Sequence, residues 1–217
     1  IAAALLVSSI SSTARAQSWM NGEIPENRFV HRNSLFFRLN PLGFIHDGRF
    51  MYRHRLYKHD SAALRDNFIA VGVSPSLSPA FGRIGAYAEF QPASVLTLYA
   101  NYEVVAFFGG FNFLQSYQSP LVADFSDAKL SEEGKLPTGD VRKNYATTGT
   151  QLTLGANFQI KFGPVVLRSM FRAVRGDYNL QRGDRVYYDV VYDVLAPNRG
   201  WFMTNDADVL WQGGLGP

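Results

Sequence analysis

Residues 151–162 alternate polar and apolar for twelve positions without a break. Gln151, Thr153, Gly155, Asn157, Gln159 and Lys161 share one parity, and Leu152, Leu154, Ala156, Phe158, Ile160 and Phe162 the other. A period of two belongs to a β-strand with one wet face and one apolar face. Strands of globular proteins average roughly 5–6 residues. A strand that crosses a bilayer needs roughly 9–11, tilted by about 45°, and this one is long enough. The same period recurs at Ile84, Ala86, Ala88 and Phe90, at Leu96, Leu98, Ala100, Tyr102 and Val104, and at Val186, Tyr188, Val190, Tyr192 and Val194. The pattern predicts nine strands, over 34–40, 49–57, 68–77, 81–90, 95–108, 149–162, 164–176, 185–195 and 200–211. The fold class it points to is all-β, an antiparallel up-and-down transmembrane β-barrel.

Turn chemistry proposes registers. Gly163-Pro164 suits a tight type II′ turn, with positive φ at glycine, and pairs Phe162 with Val165. That sets Phe158 beside Ser169, Ala156 beside Phe171 and Gly155 beside Arg172. For the next hairpin, Arg168 and Arg172 are matched in spacing by Asp189 and Asp193. Pairing Arg172 with Asp189 and Arg168 with Asp193 satisfies both faces at once. A slip of one residue would turn every side chain over. Arg83 is expected near Glu103 across the 91–95 turn. These six residues form the candidate site, a charge ladder inside the barrel. An ion pathway is the alternative reading, disfavoured because the charges neutralise one another.

The longest connection, 109–148, is expected outside the cell, because membrane barrels keep short periplasmic turns. Residues 91–94 and 163–164 then fall in the periplasm. By the same parity 58–67 becomes a periplasmic turn of ten residues, long enough to suggest a missed strand or a bulge. The aromatics Phe107, Phe108, Phe111, Phe113 and Tyr117 around Gly109-Gly110 are read as an outer girdle and strand extension rather than a plug.

Composition narrows the classes. With 47% hydrophobic residues, 18% charged and mean hydropathy of -0.09, the chain is too polar for a helical membrane protein. A barrel has no such need, since only alternate residues meet lipid. There is no cysteine, which removes disulfides, thiolate metal sites and cysteine nucleophiles. A net charge of +3 without a Lys/Arg run gives no nucleic-acid footprint. The four histidines, His31, His46, His54 and His59, show no triad order or metal spacing. Asp124, Asp127, Glu132 and Glu133 in the long connection lack EF-hand spacing and read as a solvated charge run. No cofactor or metal is expected.

Residues 1–10, IAAALLVSSI, followed by Ala14-Arg15-Ala16, have the form of the rear of a secretory signal peptide cut after Ala16. The expected organisation is a leader remnant over 1–16, a periplasmic tail over 17–33 and a barrel over 34–217. The barrel is expected to lack C-terminal strands, ten to twelve strands making the whole.

Residues 34–43 (SLFFRLNPLG), the Ser78-Pro79-Ala80-Phe81 turn and the 95–108 strand resemble uncharacterised outer-membrane β-barrel proteins of Gram-negative bacteria. The likeness is one of style over roughly 34–211 and carries no catalytic signature. It implies residence in the outer membrane, with lipid, lipopolysaccharide and the barrel-assembly machinery as partners. Three functions follow: a structural or narrow-channel barrel with a largely filled lumen, a lipid- or lipopolysaccharide-acting hydrolase, or a secreted soluble barrel that binds an apolar ligand. The first is favoured and implies no catalysis, while the hydrolase reading keeps an enzyme open.

Overall fold

The computed structural model describes residues 24–39, 42–181 and 183–211. The expected leader, residues 17–23 of the expected tail and residues 212–217 lie outside the described residues. In chain order the elements are β1 (Asn27–Leu39), β2 (Leu42–His54), α1 (Ala62–Arg65), β3 (Phe68–Val73), β4 (Ser76–Leu77), β5 (Phe81–Ala93), β6 (Leu96–Phe108), β7 (Ser116–Tyr117), α2 (Asp127–Gly134), β8 (Ala146–Phe162), β9 (Val165–Tyr178), β10 (Val186–Asp189), β11 (Val194–Pro197) and β12 (Trp201–Trp211). The fold is all-β and antiparallel.

The main sheet runs β1-β2-β3-β5-β6-β8-β9-β12. The short β4 pairs with β2 and β5, the two strands that flank β3. Thus β3, the Ser74-Pro75 break and β4 form one long strand, matching the one expected over 68–77. Proline has no N–H for the ladder, so the break falls where the sequence places it. Consecutive long strands are neighbours throughout. Connections therefore alternate between the two ends of the sheet. Residues 78–80, 109–145 and 179–200 share one end, and 55–67, 94–95 and 163–164 the other.

The register across Gly163-Pro164 is as expected, with Phe162 opposite Val165, Phe158 opposite Ser169 and Gly155 opposite Arg172. Gly163 has φ 57, the positive value this turn demands. Three other expectations are corrected. Strand β1 begins at Asn27, so residues 27–33 are sheet and not tail, and β2 begins at Leu42 rather than at 49. The 185–195 segment is not a long strand. It supplies β10 and β11, which join β7 in a separate three-stranded sheet. All four residues of β10 are buried, so its alternation sorts nothing between wet and apolar faces. Finally, β9 pairs with β12, not with 185–195: Arg172 lies opposite Thr204 and Arg168 opposite Asp208. The 55–67 connection needs no missed strand. Buried Asn67 folds it, its amide oxygen accepting from the Leu56 and Tyr57 N–H groups, each at 2.9 Å, and its amide nitrogen donating to Leu64 O at 2.6 Å.

The main sheet buries its polar face and exposes its apolar one. Arg53, Glu89, Glu103, Gln151 and Thr153 are buried, while Val71, Ile84, Val104, Leu154 and Phe158 on the opposite face are exposed. Curvature explains how a single sheet covers one of its faces. Ile45 of β2 and Phe202 of β12, six steps apart in the sheet order, pack against one apolar cluster, where a flat sheet would hold the two strands roughly 29 Å apart at about 4.8 Å per step. Among the described residues no pairing joins β1 to β12. The small sheet, drawn from both long connections, is packed onto the inner face at one end. Tyr187, Tyr188 and Ala196 share an apolar cluster with Phe81 of β5, Phe107 of β6 and Tyr178 of β9, and Ile45 of β2 and Phe202 of β12 pack against it. Gly176 makes room for this, because a Cβ there would strike the Tyr187 hydroxyl.

Candidate binding face

The charges on the inner face of the main sheet sit where the period-two pattern puts them, on the face that carries Gln151 and Thr153, joined there by Asp66 from a connection and Asp189 from the small sheet. The charges fall into three groups.

On the β9–β12 flank, Arg168 donates from Nε to Asp208 at 2.9 Å and from an Nη at 2.5 Å. Arg172 donates to Asp206 at 2.6 Å. The expected ladder of matched charges is thus present, but its carboxylates are Asp206 and Asp208. Asp189 and Asp193 belong to the turn between β10 and β11. Asp189 Oδ1 accepts from the N–H groups of Val191 and Tyr192 at 2.9 and 3.2 Å. Asp193 has φ 56 and accepts from the Tyr188 hydroxyl at 2.6 Å. Aspartate favours such turns because its short side chain bonds backbone two residues on. That local use competes with any cross-strand role.

The second group lies beneath the small sheet. Arg83 Nη1 stands 3.9 Å from Glu103, as the sequence suggests, with the guanidinium 5.2 Å from the Phe81 ring centroid. Arg83 faces the inserted Asp189 as well. Burial pushes the Asp189 carboxyl above its ordinary range, opposed by the Tyr192 and Val191 N–H groups and by the Arg83 charge.

The third group was not expected. The β1–β2 hairpin sets Arg28 directly opposite Arg53 and Arg32 directly opposite Arg49. Like charges facing each other across strands destabilise a sheet unless something intervenes. Asp66 accepts from Arg28 at 2.8 Å. Asp47 stands 3.7 Å from Arg49, whose guanidinium covers the Tyr87 ring at 4.8 Å and donates to its hydroxyl at 3.2 Å. Glu89, buried, is shared by Arg32 at 3.5 Å and Arg53 at 3.6 Å. Arg53 lies over the Phe68 ring at 3.8 Å, and its Nε and Nη2 are buried without a hydrogen-bond partner. The signal was in the sequence: two Arg-x-x-x-Arg pairs, 28/32 and 49/53, lie on either side of an Asn-Pro step.

The remaining candidates are spoken for. His46 and His54 bond the side chains of Asn33 and Asn27. Glu132 and Glu133 pair with Lys129 on α2, and Asp124 accepts from the Ser126 N–H. Among the described residues no group of three or more His, Asp or Glu could hold a metal ion. The girdle aromatics divide: Phe108 and Phe111 are exposed, while Phe107 and Phe113 are buried, Phe113 against Tyr188 of the small sheet. Comparison with family models, with curated proteins and with solved structures gives no match.

Proposed function

We propose that the chain is an outer-membrane β-barrel, exported by a cleaved leader. Its exposed apolar face meets lipid, and its polar face encloses a largely side-chain-filled interior with a structural or narrow-channel role. The observation that carries this reading is the distribution of exposed aromatics on the outer face. Trp201 and Trp211 stand at opposite ends of β12. Ten residues of strand span roughly 33 Å, which at a tilt of about 40° projects to roughly 25 Å, the height of the apolar band in such barrels. Phe37, Phe44 and Phe108 share the Trp201 end, and Phe29, Phe90 and Phe162 share the Trp211 end. Between them lie exposed Val71, Ile84, Val104, Leu154, Leu167 and Met203, with Phe50, Tyr102 and Phe171 among them. An apolar band of this height with Trp and Phe at both of its edges fits a lipid-facing wall. Exposed apolar surface on this scale marks an interaction surface, here one with lipid.

In this reading the long connections 109–145 and 179–200 lie outside and close the mouth with their small sheet, while the short turns lie in the periplasm. The partners are outer-membrane lipid, lipopolysaccharide and, during biogenesis, the barrel-assembly machinery. Fractionation and gel mobility test it. The full chain is expected in the outer-membrane fraction, migrating faster unheated than boiled. Recovery as a freely soluble monomer would overturn it. In planar bilayers a filled interior predicts small, infrequent conductance steps at most, and large stable steps would overturn the filled interior while leaving the barrel.

A further inference from the structure

We infer that the arginine group on β1 and β2 is a binding site for a small tetrahedral oxyanion of the phosphate class. Three observations converge. First, the hairpin register sets two pairs of arginines face to face, an arrangement that favours an anion between them. Second, Glu89 serves two guanidiniums at once and stands 3.5 and 3.6 Å from them, outside good hydrogen-bond length. Third, the side chain of Arg53 is only 7% exposed, yet its Nε has no hydrogen-bond partner and its Nη2 faces only Glu89, at 3.6 Å and outside hydrogen-bond geometry. These two atoms form one edge of the guanidinium fork, the edge that binds an oxyanion through two parallel bonds. On the other flank the same edge of Arg168 is filled by Asp208. The Arg32 side chain is 44% exposed and shares Glu89 with the buried Arg53. An anion bound there would displace Glu89 and take hydrogen bonds from both arginines in its place. The site opens on the polar face, so the anion comes from solution and not from a lipid headgroup. The inference needs the fold and not the membrane, so the two can fail separately.

The test is calorimetric titration of inorganic phosphate into the folded full chain, in micelles or in buffer as the chain requires. Saturable binding is expected, matched by sulfate and not by chloride. Arg32→Gln is expected to weaken it by about tenfold, the loss of one charged hydrogen bond. Arg53→Lys, which keeps the charge and removes the fork, is expected to weaken it at least as much. Arg168→Gln should leave it unchanged. Absence of saturable binding by the parent chain, equal binding by Arg32→Gln, or tighter binding of micellar phosphatidic acid than of phosphate would each overturn the site. Should Arg53→Lys fail to fold, the exposed Arg32→Gln variant still decides the matter.

Discussion

Along β9 and β12 each inward arginine has an aspartate of its own, one strand away and hydrogen-bonded. Along β1 and β2 arginine faces arginine, and the buried carboxylate near two of them comes from β5, three strands from β1. The first flank is satisfied by a single hairpin. On the second, Asp47 of β2 and Asp66 of the following connection serve Arg49 and Arg28, and only Glu89 comes from a distant strand. The exposures differ too. Arg168 and Asp208 are each about a third exposed, so water screens them and the pair contributes little. Arg53 and Glu89 are nearly dry, so any mismatch there is costly. One sheet therefore holds a tolerant flank that helps set register and an exacting flank that depends on a carboxylate from a distant strand.

The largest expected effect is on the dry flank. Glu89→Gln leaves Arg53 buried without its carboxylate and is expected to cost about 3 kcal/mol in urea unfolding. A loss below about 1 kcal/mol would mean that water reaches this flank as it does the other. Next is Gly155→Ala, at the seam between the flanks. A Cβ on Gly155 would overlap the Tyr99 ring, and Tyr99 stacks on Tyr87 beside Arg49. Overpacking of this kind costs about 1–3 kcal/mol, and Tyr99→Leu in the same chain should recover part of it. Smaller again is the coupling of Arg168 with Asp208. A double-mutant cycle should give about 0.2–1 kcal/mol, and a value above about 2 kcal/mol would erase the contrast between flanks.

The smallest effect is a change of pH profile. The raised carboxyl of Asp189 means that the folded chain holds its proton more tightly than the unfolded chain. Stability then falls as pH rises from the ordinary carboxylate range through the folded value, and returns on acidification. Asp189→Asn keeps the oxygen that accepts from Val191 and Tyr192 but carries no titrating group. It should lose that part of the slope, measured as thermal midpoint against pH. Superimposable profiles would show that Asp189 stays charged throughout.

What could be read in advance depended on how local its cause was. The 151–162 strand and its register with β9 follow from side-chain alternation and one glycine turn, and both stand in the structure. Strand β1 was hidden because His31 and Asn33 stand on its outer parity and break the apolar row, while Arg28 and Arg32 on the other parity read as a solvated tail. The 185–195 segment deceived in the opposite direction. Its alternating valines and tyrosines are buried on both sides by packing against a distant connection, which no period can reveal. The charge ladder was right in kind and wrong in partner. Two aspartates four apart matched two arginines four apart, yet Asp206 and Asp208, two apart, serve them through one direct and one diagonal contact. Arg83 with Glu103 needed only a neighbouring strand and was legible.

The small sheet has a consequence for the order of assembly. Its β7–β10 contact joins Ser116 to Tyr187, residues that stay far apart along the chain until β8 and β9 have been laid between them. Long-range closures of this kind are slow, because loop entropy is lost before any contact repays it. Tyr187 is then a natural clock: its environment should reach the native state only after β8 and β9 are in place. A refolding experiment that follows a probe on the β8–β9 hairpin and another at Tyr187 should see the hairpin first. Simultaneous signals would mean that the small sheet and the main sheet form as one cooperative unit.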